Sequence, residues 1–274
     1  MENSLHLNLP THFLQRLLHL SFSHSPQSST PHLATRFTAV CPNTARPIIS
    51  VSSFPSPASY LDQMPLLQNI SPLLHLPTEA PLIVLPSTHL FPNTLLPLYI
   101  FEPRYQSMLR WSLENNRVIG LATAKPENPA AFPHHHFHHS LGLGLIRASV
   151  THKDGTSQIM LLGIARIQIT DFIQEKPFYI AKISPIPAIS ASPTDAELLT
   201  RELLTLCSEI RSDLGVVSEN LKSHLAQIDD PNILSDVVAH AFLRDSSQRQ
   251  ELLEEPSPTQ RIRLLLRYLQ PATT

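Results

Sequence analysis

The stretch from Thr94 to Tyr105, TLLPLYIFEPRY, constrains this chain most, because it places an apolar strand, a break and a helix start in direct succession. Leu95, Leu96, Leu98, Tyr99, Ile100 and Phe101 form a near-continuous apolar run of strand length, rich in residues that suit a buried pleated surface. Pro97 removes one ladder donor from that run, which assigns the strand to a sheet edge or a bulge. Glu102-Pro103 ends the strand, since proline holds its predecessor extended and suits the first turn of a helix. Arg104 to Asn115 then reads as a helix with Tyr105, Met108, Leu109 and Ser112 on one face.

Further strands are expected on both sides. Pro81 to Pro86 is a short apolar strand, and Arg117 to Ala124 another. Leu141 to Val150 alternates with period two. His152 to Thr156 is a hairpin turn in which Asp154-Gly155 supplies positive φ, and Ile159 to Thr170 returns as a strand with Ala165, Ile167 and Ile169 on one face and Arg166, Gln168 and Thr170 on the other. Phe178 to Ile183 adds one more. After Pro193 the period becomes helical: Thr194 to Glu197 is a capping box ahead of Leu199, Leu203, Leu206, Ile210 and Leu214. Leu221, Leu225 and Ile228 mark a shorter helix. Asp230-Pro231 caps a helix with a stripe through Ile233, Leu234, Val237 and Val238, and Ser247 to Gln250 and Ser257 to Gln260 read as two more capping boxes.

The motifs Leu90-Phe91-Pro92, LPLYIFEPRYQSML and DGTSQIMLLGIARIQI, in that order, resemble the Lon protease amino-terminal, substrate-binding domain, and the Asp-Pro helix followed by RQELLEEPSPTQRIRLLLRYL resembles the helical region behind it. The residues carrying the resemblance are Phe91, Pro92, Pro97, Phe101, Glu102, Pro103, Arg104, Tyr105, Asp154, Gly155, Gly163 and Arg166. Asn93 stands where that family has glycine; asparagine also tolerates left-handed geometry, so the turn is expected to survive. The resemblance implies an α+β fold: a small antiparallel PUA-like pseudo-barrel with one crossing helix, over residues 76–190, followed by an α-helical bundle, 191–274. It further implies a non-catalytic module that binds unfolded or partly folded protein segments. The ATP-hydrolysing and peptidase modules of a complete Lon protease are not expected in a chain that ends at Thr274.

Composition excludes several other classes. A net charge of −2 without any dense Lys or Arg run gives no footprint for nucleic acid. No stretch has the roughly 18 uninterrupted apolar residues of a membrane span. Six glycines form neither G-x-x-x-x-G-K-[ST] nor G-x-G-x-x-G, and no G-x-S-x-G elbow occurs, so neither nucleotide nor serine chemistry is expected. Cys41 and Cys207 lie far apart and read as free thiols. Residues 1–75 are rich in Ser, Pro, His and Thr and read as a disordered leader, with Met64 as the start and a cytoplasmic location; the alternative is an organelle transit peptide over 1–63, for a plastid or mitochondrion.

Three groups of residues are candidate sites. His134, His135, His136, His138 and His139 sit in a Pro-rich loop with no fixed ligand geometry, so no metal and no cofactor is expected. Glu102, Arg104 and Arg166 are expected to satisfy buried junctions by pairing. The edge strand at Pro97, the helix carrying Met108 and Trp111, and the junction with the bundle form the candidate peptide-binding site. The alternative function is a scaffold that docks a separate protease or chaperone through the helical bundle.

Overall fold

The computed structural model describes residues 76–125, 136–189, 193–212, 215–216 and 219–270, with two short strand segments at Thr38–Val40 and Pro47–Ser50. Six longer strands follow: β1 Glu79–Pro86, β2 Leu95–Ile100, β3 Val118–Ala124, β4 Ser140–Thr151, β5 Ser157–Gln174 and β6 Tyr179–Pro185. Helix α1, Pro103–Glu114, stands between β2 and β3. The order across the sheet is β2-β5-β4-β3-β1-β6, and β6 also pairs with β5, which closes the last five strands into a barrel. β5 makes this possible by its length. One edge runs along β4, while the other serves β2 over Ser157–Leu162 and β6 from Ile167 onward. Register shifts in the β4–β5 and β5–β6 pairings let these strands bend around the closure.

The barrel is mixed rather than wholly antiparallel, a correction to the expectation from sequence: β1 and β3 pair in parallel, Leu82 opposite Gly120 through Pro86 opposite Ala124. The reason lies in the connection. β2 and α1 carry the chain back before β3 begins, and such a crossover is what a parallel pair requires. α1 buries Tyr105, Met108, Leu109 and Ser112, the face read from the sequence. Its anchor is the Tyr105 hydroxyl, which donates to the Val84 carbonyl at 3.1 Å and accepts from the Val84 N–H at 3.2 Å. Pro103 opens the helix, and Glu102 accepts from Arg104 Nε at 2.9 Å.

Behind the barrel lie α2 Pro193–Glu209, α3 Glu219–Leu225, α4 Pro231–Phe242, α5 Ser246–Glu254 and α6 Pro258–Leu269. α2 ends at Glu209, short of Ile210 and Leu214 at the end of the expected stripe, and Leu214 lies outside the described residues. Asp230 caps α4 by accepting from Asn232 N–H at 2.8 Å, and Ser257 caps α6 through Gln260 N–H. The cap of α5 differs from the sequence reading: Asp245 accepts from Gln248 N–H, so the helix begins before the Ser247 box. An aspartate ahead of two serines captures the N–H in their place, because a carboxylate gives the stronger charge-assisted bond.

Barrel and helices meet through the turn Leu90–Asn93. Leu90 enters the barrel core, while Phe91, fully buried, enters the helical core among Leu203, Leu234, Leu252 and Ile262. Asn93 takes φ 59°, the left-handed geometry expected of it, and its N–H reaches the Gly163 carbonyl at 2.8 Å. The Phe91 carbonyl passes so close to β5 that a Cβ at Gly163 would stand 2.0 Å from it. Only glycine admits this approach. Gly163→Ala is therefore expected to lower unfolding free energy by about 2–3 kcal/mol, read as a drop in the urea midpoint; an unchanged midpoint would show that the turn does not need this contact.

Candidate functional site

Three surfaces bear on function. The first is the outer edge of β2, whose only partner in the six-stranded sheet is β5. Pro97 faces Met160 on β5, so the proline sits on an edge strand as its missing N–H requires. Leu95, Leu96, Pro97, Tyr99 and Phe101 are half-buried, and the Tyr99 and Phe101 rings stack with centroids 6.1 Å apart. Strand Pro47–Ser50 runs close to this edge but belongs to a separate two-stranded sheet.

The two helix residues expected in this groove separate in the structure. Met108 is fully buried in the barrel core and offers no surface to a bound segment. Trp111 is half-buried and leans on Phe178, at 6.4 Å between ring centroids. The helical period puts Met108 on the same inward face as Tyr105 and Ser112, all of them buried.

The second surface is a cavity of about 360 Å³ at the junction of barrel and helices, with Pro92, Ile164, Ile186, Ile233 and Pro256 as apolar walls and Arg166, Asp236 and Arg261 as a charged wall. Arg166, on β5, holds Asp236 of α4 in a bidentate grip, with Nη1 to Oδ2 at 2.9 Å and Nη2 to Oδ1. Arg261 of α6 donates Nη1 to the same Oδ1 at 2.6 Å and Nη2 to Asn232. The three side chains are 7%, 1% and 1% exposed in that order, so one buried carboxylate serves two buried guanidinium groups. Burial pulls the Arg261 guanidinium down to about 10, against the pull of Asp236 and with the push of Arg166. It stays charged at neutral pH.

Arg166 pairs, as its place on a buried strand predicts, but its partner Asp236 lies 70 positions away, and nothing local in the sequence names it. The one available signal is that Asp236 and Arg261 are charges on the apolar stripes of α4 and α6. Glu102 and Arg104 pair with each other, and Asp154 accepts from Thr156 N–H and hydroxyl to close the β4–β5 turn, where Gly155 has φ 83°.

The third surface is a polar hollow of about 340 Å³ bordered by Lys125, His138, His139, Gln168 and Glu254. His138 Nδ1 lies 3.3 Å from Glu254, a carboxylate that the sequence does not place near the histidine loop. His134 and His135 lie outside the described residues, and among the described residues no three His, Cys, Asp or Glu side chains converge as a metal site. Cys207 is buried in the helical core, and burial pushes its thiol up to about 12, which removes it as a nucleophile at neutral pH; Cys41 lies outside the described residues. No helix among the described residues is long and apolar enough to cross a membrane.

A mixed six-stranded sheet, five of whose strands close into a barrel, with a crossing helix and a helical unit locked behind it defines an α+β module of the Lon amino-terminal type. The family model for the ATP-dependent protease La (LON) substrate-binding domain matches residues 79–271, and the chain belongs to that family. It is 25% identical over 195 residues to Lon protease of Dictyoglomus thermophilum, covering 71% of this chain and 24% of that protein. Against Lon protease 1 of Herpetosiphon aurantiacus it is 27% identical over 191 residues, covering 68% and 23%. The chain thus spans about a quarter of the length of these relatives. Its fold is similar to that of the N-terminal domain of Mycobacterium avium complex Lon protease, with TM-score 0.57 at 15% identity, covering 70% of this chain and 97% of that one.

Asp236 is the shared acceptor of the junction. Asp236→Ala leaves two guanidinium groups buried without it and is expected to remove about 3–5 kcal/mol of stability, measured by urea denaturation. A loss below about 1 kcal/mol, the range of a surface pair, would show that the pair is solvated and does not hold the junction.

Proposed function

We propose that this chain is a non-catalytic protein-binding module that takes up exposed, extended segments of partly unfolded proteins. The observation that supports it best is the edge of β2, where half-buried Leu95, Pro97, Tyr99 and Phe101 stand along an edge unpaired within the six-stranded sheet. Such an edge accepts a further strand through main-chain hydrogen bonds, with side chains gripping alternate residues of the guest. Membership of the substrate-binding family fits the same role. On this reading residues 1–75 are a leader, the barrel of 76–190 supplies the binding edge, and the helices of 191–274 brace it. The compartment proposed is the cytoplasm, with an organelle as the alternative if residues 1–63 are a transit peptide.

A scaffold role through the helices has its own observation. A groove of about 430 Å³ between α2 and α6 carries Leu198, 64% exposed, beside Leu206 and Leu266. Exposed leucine on a helix pair suits a partner helix, such as one from a separate protease or chaperone.

Binding of a labelled, reduced and unfolded protein separates the two readings. The full chain is expected to bind it in the micromolar range, and Tyr99→Lys to weaken binding by at least about fivefold, the equivalent of about 1 kcal/mol lost at an aromatic anchor. Leu198→Lys should leave that affinity unchanged. No binding at high micromolar concentration, or equal binding by Tyr99→Lys in its folded state, would remove the β2 edge as the site.

A further inference from the structure

We infer that the junction cavity is an anchor for a carboxylate carried by an apolar peptide segment, a proposal that rests on the peptide-binding reading and names the chemistry of the segment. The argument is one of unmatched donors. A guanidinium presents five N–H groups in a fixed fork. Arg166 gives two of its bonds to Asp236; Arg261 gives one to Asp236 and one to Asn232. The Nε of each is buried with no hydrogen-bond partner among the described residues, although both side chains line the cavity. Two cations against one buried anion, with donors to spare, call for an acceptor that is planar and negatively charged. A carboxylate provides up to four acceptor positions, and the apolar walls at Ile164, Ile186 and Ile233 suit the hydrocarbon beside it.

The rim sets the charge the cavity will take. Asp230 lines it, exposed and committed to capping α4. An exposed acid in the cavity lining opposes a multiply charged anion, so a single carboxylate is favoured over a phosphate group. The carboxylate has two sources, the C-terminus of a chain or an internal Asp or Glu, and both present the same group.

The test uses the full chain and three N-acetylated, Leu- and Val-rich peptides: one ending in a free acid, its C-terminal amide, and an amide with an internal aspartate. The free acid is expected to bind at least about tenfold more tightly than the plain amide and to shift the Arg166 and Arg261 Nε–H signals in nitrogen-edited NMR spectra. The aspartate peptide behaving like the free acid extends the site to side-chain carboxylates; behaving like the plain amide, it confines the site to chain ends; the anchor stands in either case. Asp230→Asn keeps a competent helix cap, lowers the rim charge, and is expected to tighten the free acid by about threefold. If acid and amide bind alike and both Nε–H signals stay in place, the cavity holds water only and the proposal fails. Unfolded-protein binding lost on Tyr99→Lys would still stand in that event, so the failure of the anchor is distinguishable from failure of the binding reading.

Discussion

The structure depends on one close approach, the passage of the Phe91 carbonyl over Gly163. Because β5 has no side chain there, the turn Leu90–Asn93 lies flat on the barrel wall and is held by paired bonds between Asn93, Thr94 and Gly163. That placement sends consecutive side chains to opposite cores, Leu90 to the barrel and Phe91 to the helices. Gly163 is also where β5 changes partner, from β2 on its first half to β6 on its second. The seat of the turn and the change of partner along β5 thus meet at one place in the fold, with the Leu90 carbonyl passing as closely over Gly142 on β4.

The buried Arg166–Asp236–Arg261 cluster acts next to it. Taking three charges out of water is costly, and well-packed apolar residues often do as well for stability. What the cluster adds is direction: β5, α4 and α6 must meet in one geometry for the Asp236 carboxylate to reach both guanidinium groups. Gln250 Nε2 to the Ser140 carbonyl at 2.9 Å and Ile189 N–H to the Pro256 carbonyl at 3.1 Å fix the same boundary from other elements. Barrel and helices belong to one compact unit, residues 36–274, so the edge of β2 is carried by a braced frame.

Local features of the fold were legible in the sequence, because local rules decide them. Pro97 told of an edge, Glu102-Pro103 of a helix start, Asp154-Gly155 of a turn, and Asn93 of a left-handed residue; each is set by its own backbone chemistry. The inward face of α1 followed from period alone. The parallel pairing of β1 with β3 did not, since it depends on where a crossover lands. Nor did the depth of Met108, which an amphipathic pattern places inward without saying whether the barrel mouth is open or closed. Arg166 on a buried strand needs a partner, but bringing Asp236 to it, and Arg261 to the same carboxylate, takes the three-dimensional packing of α4 and α6. The cavity between them exists only once those helices are in place.

Native-state hydrogen exchange of the full chain tests most directly the claim that barrel and helices form one cooperative frame. The slowest amides of β4 and β5 and those of α4 and α6 are expected to exchange with a common opening free energy close to that of global unfolding. Asp236→Asn should lower both sets together. Exchange of α4 and α6 through a separate, lower-energy opening while β4 and β5 stay protected would contradict the account, showing helices that merely rest against the barrel.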